Sequence, residues 1–521
     1  MASSCPECGS LYIPTAETIP ATTKTLAQWQ RLVKSNDAPG SAELAFIRSV
    51  VSDTGARLDF LDSEISRLRD RLEQLQAERA QLSEYHSQNV SILSPLRRMP
   101  PEVLVQIFLR TLPPFDDSNG DASDARGSPW TLAQVSGRWR EIALSTPSLW
   151  STLRVFAHDP DSEHSDMLQA QLRRSGMRNL DIQFFGYEND NTTEQVKLFD
   201  LLSEHSARWE TLYIQLSSAL VPRLAQLRGR LPSLQRLWLQ WDSEQSQLGV
   251  DSITCFRTAP SLFDAGVANK AHFIPVLVPA HQLTTYRLHG PWKMHLHVLK
   301  LAPNIVSARI ITAFDGEEPW PEPGPQTIDL VHLQRLYVSD QRILDYLRAP
   351  HLAELAVRLS VTDGESILVN SLDALFVRSA CAPQKLYLKG ISSVITLGIL
   401  KKHPFITAIT LAFLAGGTDA MEAHMTMLAD VSEYQHLREI SFGAFDSMPI
   451  DYPLFLRMLK SRLRSSLRAA SFFAIEGPDP DPVTLAGLDE LRDGGLDLRV
   501  ESGPEAQTGI NVWENVCLWN E

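Results

Sequence analysis

The chain has 521 residues, of which 44% are hydrophobic and 21% are charged, an ordinary composition for a folded protein that excludes wholesale disorder. Its 62 acidic side chains outnumber its 48 basic ones, and the net charge of −14 argues against a nucleic-acid-binding protein, which needs cationic contacts to phosphates. No apolar run reaches the roughly 20 residues of a membrane-spanning helix, so we expect no membrane partner.

The N-terminal segment, residues 1–40, is rich in Pro, Ser and Thr and lacks apolar periodicity, which predicts a flexible lead-in. Cys5 and Cys8 form a CxxC pair, one half of a zinc knuckle, but a structural zinc needs about four ligands. The next cysteine is Cys255, so we favour a degenerate remnant or a thiol pair on a tail and predict no metal. Five cysteines and the absence of a signal-peptide core favour an intracellular protein, cytoplasmic or nuclear and not secreted.

Residues 41–93 predict one long helix, since they contain no proline and a single glycine. Apolar side chains recur there at alternating spacings of three and four, as in a coiled coil: Leu58, Leu61, Ile65, Leu68, Leu72, Leu75 and Leu82. In the heptad register that follows, Arg57 faces Asp62 and Glu64 faces Arg69 across a parallel dimer. Two interpretations stay open: the helix pairs with a second copy as a homodimer, or it packs on its own downstream domain.

Residues 94–155 predict a compact module of three short helices. Pro100 and Pro101 before Glu102 favour a helix start, because proline suits the first turn and a carboxylate there offsets the helix dipole. A loop rich in Asp, Ser and Gly, residues 115–128, precedes a second predicted helix, and Pro147 opens a short third one. So few apolar residues make a small core, which favours docking on a partner.

Two motifs in this module resemble a known family. Residues 94–104, SPLRRMPPEVL, with Ile107 and Phe108, resemble the first helix of the F-box, and residues 135–143, VSGRWREIA, with Leu149 and Trp150, look like its second half. The heptad helix, the SPLRR entry and the STPSLW exit are together similar to fungal, basidiomycete-type F-box-like proteins with degenerate leucine-rich repeats. Ser136 stands where the family often has Cys.

The resemblance implies the substrate-receptor subunit of a Skp–cullin–F-box ubiquitin ligase, which binds a Skp-type adaptor, and through it cullin, and holds an unknown protein target. It implies recognition without catalysis. The module residues that would form the adaptor-binding region are Leu96, Pro100, Pro101, Val103, Leu104, Ile107, Phe108, Leu112, Val135, Trp139, Leu149 and Trp150. We expect those from Leu96 to Phe108 to face the adaptor, and the tryptophans both to fill the core and to shape this surface. The alternative is a self-associating coiled-coil scaffold without ligase association.

Residues 156–500 carry a degenerate repeat, apolar-x-x-apolar-x-apolar, with an irregular copy at 383–388. Successive copies start 19 to 32 residues apart, close to the period of a leucine-rich repeat. The other starts are Met177, Trp209, Leu234, Leu262, Leu283, Ile305, Leu333, Leu352, Ile406, Leu437 and Leu467. We therefore predict an α/β repeat fold, an irregular leucine-rich-repeat-like solenoid that binds the target, followed by a tail at 501–521. An ordinary α/β domain with unrelated strands is the alternative.

The repeat lacks the Asn or Cys expected three residues after its last apolar position, where Ser217, Asp242, Lys270 and Ser360 stand instead. Among 14 histidines, His403 and the pair His295 and His297 fall in no nucleophile, metal or phosphate motif. We expect most of the histidines at the surface or at repeat edges, and we predict no catalytic residue and no cofactor.

Overall fold

The computed structural model describes residues 3–4, 11–12, 30–112, 128–156, 164–188, 192–316, 320, 322, 327–359, 365–413, 417–430, 433–445, 448–462, 466–503 and 506. The chain divides into two compact units, Met1–Met99 and Pro100–Glu521. Cys5, Cys8, most of the loop at 115–128 and the tail beyond 506 lie outside the described residues.

The first unit is dominated by one helix, α1 (Ser41–Leu93), with the bounds that the proline-free stretch predicts. Its start is set by a capping interaction in which the backbone N–H of Gly40 donates to Glu43 Oε2 at 2.8 Å. Its end precedes Pro95, which has no N–H for the helical ladder. The same unit has a short antiparallel pair, β1 (Ser3–Ser4) and β2 (Leu11–Tyr12), and a 3₁₀ turn at Pro95–Arg97.

The second unit begins with a helical module. Its elements are α2 (Pro101–Arg110), α3 (Leu132–Val135), α4 (Gly137–Leu144) and a 3₁₀ turn at Pro147–Trp150. The turn runs directly into the first strand of a sheet, so the module and the sheet are joined without a linker.

In the part of the chain that the structure describes, the sheet has 14 parallel strands that pair in chain order. They are β3 (Thr152–Phe156), β4 (Leu180–Phe185), β5 (Trp209–Leu216), β6 (Arg236–Trp241), β7 (Asp264–Ala268), β8 (Thr285–Gly290), β9 (Ser307–Thr312), β11 (Arg335–Val338), β13 (Glu354–Arg358), β14 (Lys385–Lys389), β15 (Ala408–Phe413), β16 (Glu439–Ala444), β17 (Ala469–Ala474) and β18 (Asp497–Ser502). Outside this sheet, β10 (Ile328–Asp329) and β12 (Leu347–Arg348) form a separate parallel pair.

The strands coincide with the sequence repeat. In ten of the twelve copies the strand begins two residues after the predicted start, and in the other two it begins at the start or three residues later. The apolar-x-apolar end of each copy explains the match, because alternate strand residues share one face and can be buried together. Within the 14-stranded sheet of the described residues, β3 and β18 have no predicted copy.

One face of the sheet carries the core. In β6, Leu237, Leu239 and Trp241 are buried, while Trp238 alternates onto the other side, which we call the second face. The helices between strands bury apolar side chains in the same core. They are α5 (His164–Arg174), α6 (Thr192–Ser203), α7 (Val221–Leu224), α8 (Trp292–Leu301), α9 (Glu365–Ser379), α10 (Ser393–Lys402), α11 (Thr418–Leu428), α12 (Tyr452–Arg462) and α13 (Pro482–Asp493).

No helix within the described ranges has both the length and the apolar character that crossing a bilayer demands.

Candidate partner-binding site

Helix α2 is amphipathic, with one apolar stripe buried and a second one exposed. Leu104 and Phe108 are completely buried, whereas Val103 and Ile107 remain 44% and 38% exposed. Residues four apart lie one above the other on a helix, so each pair forms one stripe. The buried stripe holds α2 to the module, and the exposed stripe of Val103 and Ile107 is available to a partner.

Aromatic side chains fill the small core beneath α2. The ring of Phe108 lies 4.8 Å from that of Trp139, and Trp130 meets Trp150 edge-on at 5.0 Å. The buried indole N–H of Trp150 donates to the carbonyl oxygen of Ala143 at 2.8 Å, which satisfies its one polar group. The C-terminal turn is thereby held against α4.

Ser136 has a structural role at the start of α4. Its hydroxyl oxygen accepts a hydrogen bond from the backbone N–H of Trp139 at 3.2 Å, an N-cap that satisfies an otherwise unpaired helix donor. Ser136, where the resembled family often has Cys, thus serves here as the N-cap of α4.

A residue beyond the module completes its core. Arg174, in the last turn of α5, places its guanidinium 4.5 Å from the ring centres of both Trp130 and Trp150. Burial lowers the pKa of Arg174, and the neighbouring charge of Arg173 adds to this effect. The contact ties the module to the first helix of the sheet region. Sequence reasoning missed it, because nothing local marks an arginine whose partners lie 24 and 44 residues earlier.

The structure divides the predicted adaptor-binding residues into three groups. Those exposed are Leu96, Pro100, Pro101, Val103, Ile107 and Val135, and those partly exposed are Leu112 and Trp139; the buried ones are Leu104, Phe108, Leu149 and Trp150. We expected Leu104 and Phe108 to face the adaptor, but α2 turns both into the core of the module. Leu144, also exposed at the end of α4, was not anticipated.

Comparison with known protein families identifies one region of the chain. Residues 96–155 match the F-box-like family. The resemblance seen in the sequence is thus confirmed for the module, and the F-box-like domain ends within strand β3, at the edge of the sheet. F-box-like domains are typical of non-catalytic substrate-recognition proteins and generally bind Skp-type adaptors. No curated protein matches the chain.

The predicted heptad residues form an exposed stripe on α1. Every one of the seven is between 39% and 61% exposed, and no residue of the helix is buried. Glu64 makes an ion pair with Arg67 along the same helix at 2.5 Å, and this hydrogen bond lowers the pKa of Glu64. An exposed i, i+3 ion pair of this kind contributes little to stability.

Of the three histidines singled out in the sequence, His297 is exposed as expected, whereas His295 and His403 are buried. His295 is fully buried: its Nδ1 lies 2.9 Å from the hydroxyl of Tyr286, and its Nε2 lies 3.1 Å from the carbonyl oxygens of Gly290 and Ile311. Two carbonyl acceptors place the ring proton on Nε2, so Nδ1 accepts from Tyr286. Burial lowers the pKa of His295 to about 4 and keeps the ring neutral. His403 and His424 are also buried.

Metal-binding geometry is not found in the described part of the chain, where no three His, Cys, Asp or Glu side chains converge. The buried thiols of Cys255 and Cys381 are free, and burial raises the pKa of Cys255 to about 12. A thiol so disfavoured from ionising is a structural residue, not a nucleophile.

The missing repeat asparagine has a substitute one residue away. In the copy that has Lys270 at this position, the neighbouring Asn269 makes the hydrogen bonds to the turn. The Nδ2 of Asn269 donates to the carbonyl oxygen of His289 at 2.8 Å, and its Oδ1 accepts from Trp241 Nε1 and from the backbone N–H of Ile274. Buried backbone groups at the strand end are thus satisfied.

Proposed function

We propose that the protein is a substrate-receptor subunit of a Skp–cullin–F-box ubiquitin ligase. The F-box-like domain binds the adaptor through the exposed stripe of Val103 and Ile107, with Pro100, Pro101 and Val135 around it. The repeat region, which we interpret as a leucine-rich-repeat-like solenoid, holds a target protein. Such ligases work inside the cell, so we place the protein in the cytoplasm or nucleus.

The mechanism is tethering. A receptor raises the effective concentration of target lysines near the ubiquitin-charged enzyme, and none of its own residues reacts. The observation that carries the proposal is the contrast within α2, because a helix whose inner stripe is fully buried presents its outer stripe in a defined position. Arg174 and the direct passage into β3 support this role by fixing the F-box-like domain to the sheet that would hold the target.

The test is co-purification of the full chain with a Skp-type adaptor and cullin. We expect Ile107→Asp to weaken adaptor binding by about 2 kcal/mol, roughly 30-fold, since it places a charge at a desolvated contact. The matched control is Val377→Asp, which adds the same charge at a side chain of α9 that is 83% exposed. Leu104→Asp is avoided, because a charge at that buried position would unfold the domain.

Capture that is stoichiometric for the wild type and Val377→Asp, and about 30-fold weaker for a folded Ile107→Asp, supports the receptor role. Equal capture of Ile107→Asp and wild type would remove the proposed surface. A folded wild type that captures no adaptor would contradict the receptor role altogether.

We also infer that α1 pairs with a second copy as a parallel coiled coil. The specific observation is the exposed stripe from Leu58 to Leu82, since apolar side chains spaced in heptads are stabilised by a partner helix. The charges that flank it, Arg57 with Asp62 and Glu64 with Arg69, match opposite signs across the pair. Without adaptor binding, this pairing would make the protein a self-associating scaffold.

Light scattering tests the pairing. We expect a dimer that Leu68→Asp converts to monomer. Glu64→Arg alone sets like charges against Arg69 and weakens the dimer, whereas Glu64→Arg with Arg69→Glu restores it, because opposite charges face each other again. A monomeric wild type at micromolar concentration would contradict the inference.

A further inference from the structure

A cavity of about 270 Å³ opens among the C-terminal halves of strands β6 to β9. Among the residues that the structure describes, its lining includes three basic side chains, Lys270, Arg287 and Arg309, and no carboxylate. This is unusual in a protein with a net charge of −14, where acidic side chains prevail elsewhere. A concave site lined by one sign of charge concentrates ligands of the opposite sign.

The two arginines are register neighbours on adjacent parallel strands, and both alternate onto the second face. Arg309 is only 2% exposed, and its guanidinium lies 4.7 Å from the ring centre of Tyr337. The side chain of Arg287 is 10% exposed. Like charges directly opposite each other destabilise a sheet, so this arrangement favours an anion that both guanidiniums can share.

Asp264, the carboxylate beside the two arginines, only partly neutralises their charge. Asp264 Oδ1 lies 3.8 Å from Nη1 of Arg287, too far for a hydrogen bond. Within the described residues, Nε and Nη1 of Arg287 are buried and have no hydrogen-bond acceptor. Burial raises the pKa of Asp264, whereas the charges of Arg287 and Arg236 act to lower it. A buried guanidinium whose donors are not all used is costly unless a ligand supplies an acceptor.

The rest of the lining selects the kind of anion. Ala268 and Ile311, which alternate onto the second face with the arginines, provide apolar wall beside them, and the exposed Lys270 adds a third charge. A site of this composition suits a group with an apolar stem and an anionic head, and its volume accommodates one side chain but not a folded domain.

We propose that this cavity binds an anionic side chain of the target protein, bearing a phosphoryl or a carboxylate group on an apolar stem. The proposal rests on the function proposed above, in which the repeat region holds the target, and it names the chemistry that the second face recognises.

Isothermal titration of the full chain with three small probes tests it: phenyl phosphate, phenylacetate and neutral benzyl alcohol. We expect at least one anionic probe to bind tenfold more tightly than benzyl alcohol and to weaken as salt rises. Preference for phenyl phosphate identifies a phosphoryl group as the recognised head, and equal binding or preference for phenylacetate identifies a carboxylate. Anionic probes that bind no better than benzyl alcohol would overturn the proposal.

Variants locate the binding. Arg287→Gln and Lys270→Gln should each weaken the preferred probe at least fivefold, and Lys270 guards against misfolding because its side chain is exposed. Arg335→Gln, an exposed arginine on β11 outside the cavity, is the matched control and should bind as the wild type does. Unchanged binding in folded Arg287→Gln and Lys270→Gln would place the anion elsewhere.

Adaptor capture, measured on the same preparations, separates this inference from the proposed function. Probe binding without adaptor capture would support the anion-binding cavity and contradict the proposed receptor function. Adaptor capture without probe binding would support the proposed receptor function and contradict the anion-binding cavity.

Discussion

Helix α1 and the sheet both contain leucines at regular spacing, but the leucines of α1 are exposed and those of the sheet are buried. The heptad leucines of α1 are exposed, whereas Leu239, Leu336 and Leu388 of the sheet are at most 2% exposed. A period says which side chains share a face, but not what covers that face. In the sheet, neighbouring repeats supply the cover. For α1, we propose a second copy of the chain.

The largest expected effect compares one leucine from each region. Leu239→Ala should lower the free energy of unfolding by about 3 kcal/mol, because it leaves a cavity in a closely packed core. Leu68→Ala should leave the urea midpoint of the second unit unchanged and lower the dimer fraction in light scattering. Equal losses of unfolding free energy in the two variants would break the contrast.

The next effect depends on pH and belongs to the sheet region alone. As pH falls from 7 to 5, the unfolded state protonates His295 near its ordinary pKa of 6.5, whereas the folded state resists until about 4. The folded state therefore loses about 2 kcal/mol of stability over this range. His295→Gln should flatten that part of the profile in thermal melts at pH 7, 6 and 5. The exposed His297→Gln, two residues away, should retain the wild-type profile.

A smaller effect concerns the contact between the F-box-like domain and the sheet region. Arg174→Met keeps the apolar stem but removes the cation over Trp130 and Trp150, and should cost about 1 kcal/mol. Denaturant unfolding followed by tryptophan emission measures it. A loss near zero would mean that the stem alone makes the contact.

The smallest effect returns to α1. Arg67→Gln breaks the ion pair with Glu64 on a solvated helix surface, and we expect no measurable shift of the urea midpoint, because exposed pairs contribute little. A clearly lower urea midpoint would show that the ion pair between Glu64 and Arg67 contributes more to stability than its exposure indicates.

Local chemistry explains which elements the sequence predicted well. The bounds of α1 follow from a proline-free stretch with a capping glutamate at its start and Pro95 after its end. The strand positions follow from alternation, which a half-buried strand requires. The F-box-like motif was recognisable because its prolines, apolar stripe and tryptophans occur in a fixed order.

Other features of the site could not be predicted for a physical reason. Val103, Leu104, Ile107 and Phe108 all lie within one broad apolar face of α2, and only packing against Trp139 divides it into a buried and an exposed stripe. In the sequence, His295 is an ordinary polar residue of a helix. Only the fold brings Tyr286 and two carbonyl groups into hydrogen-bond distance of its ring.

By itself, the sequence determined the long helix, the F-box-like module and the spacing of the strands, because each depends on residues within one or two turns or one repeat. The tertiary structure alone decided which α2 side chains face outward, that Arg174 completes the module's core, and that Arg287 and Arg309 meet beside one cavity. Those contacts join residues that are distant in the chain, and only the pairing of parallel strands and the packing of helices on the sheet bring them together.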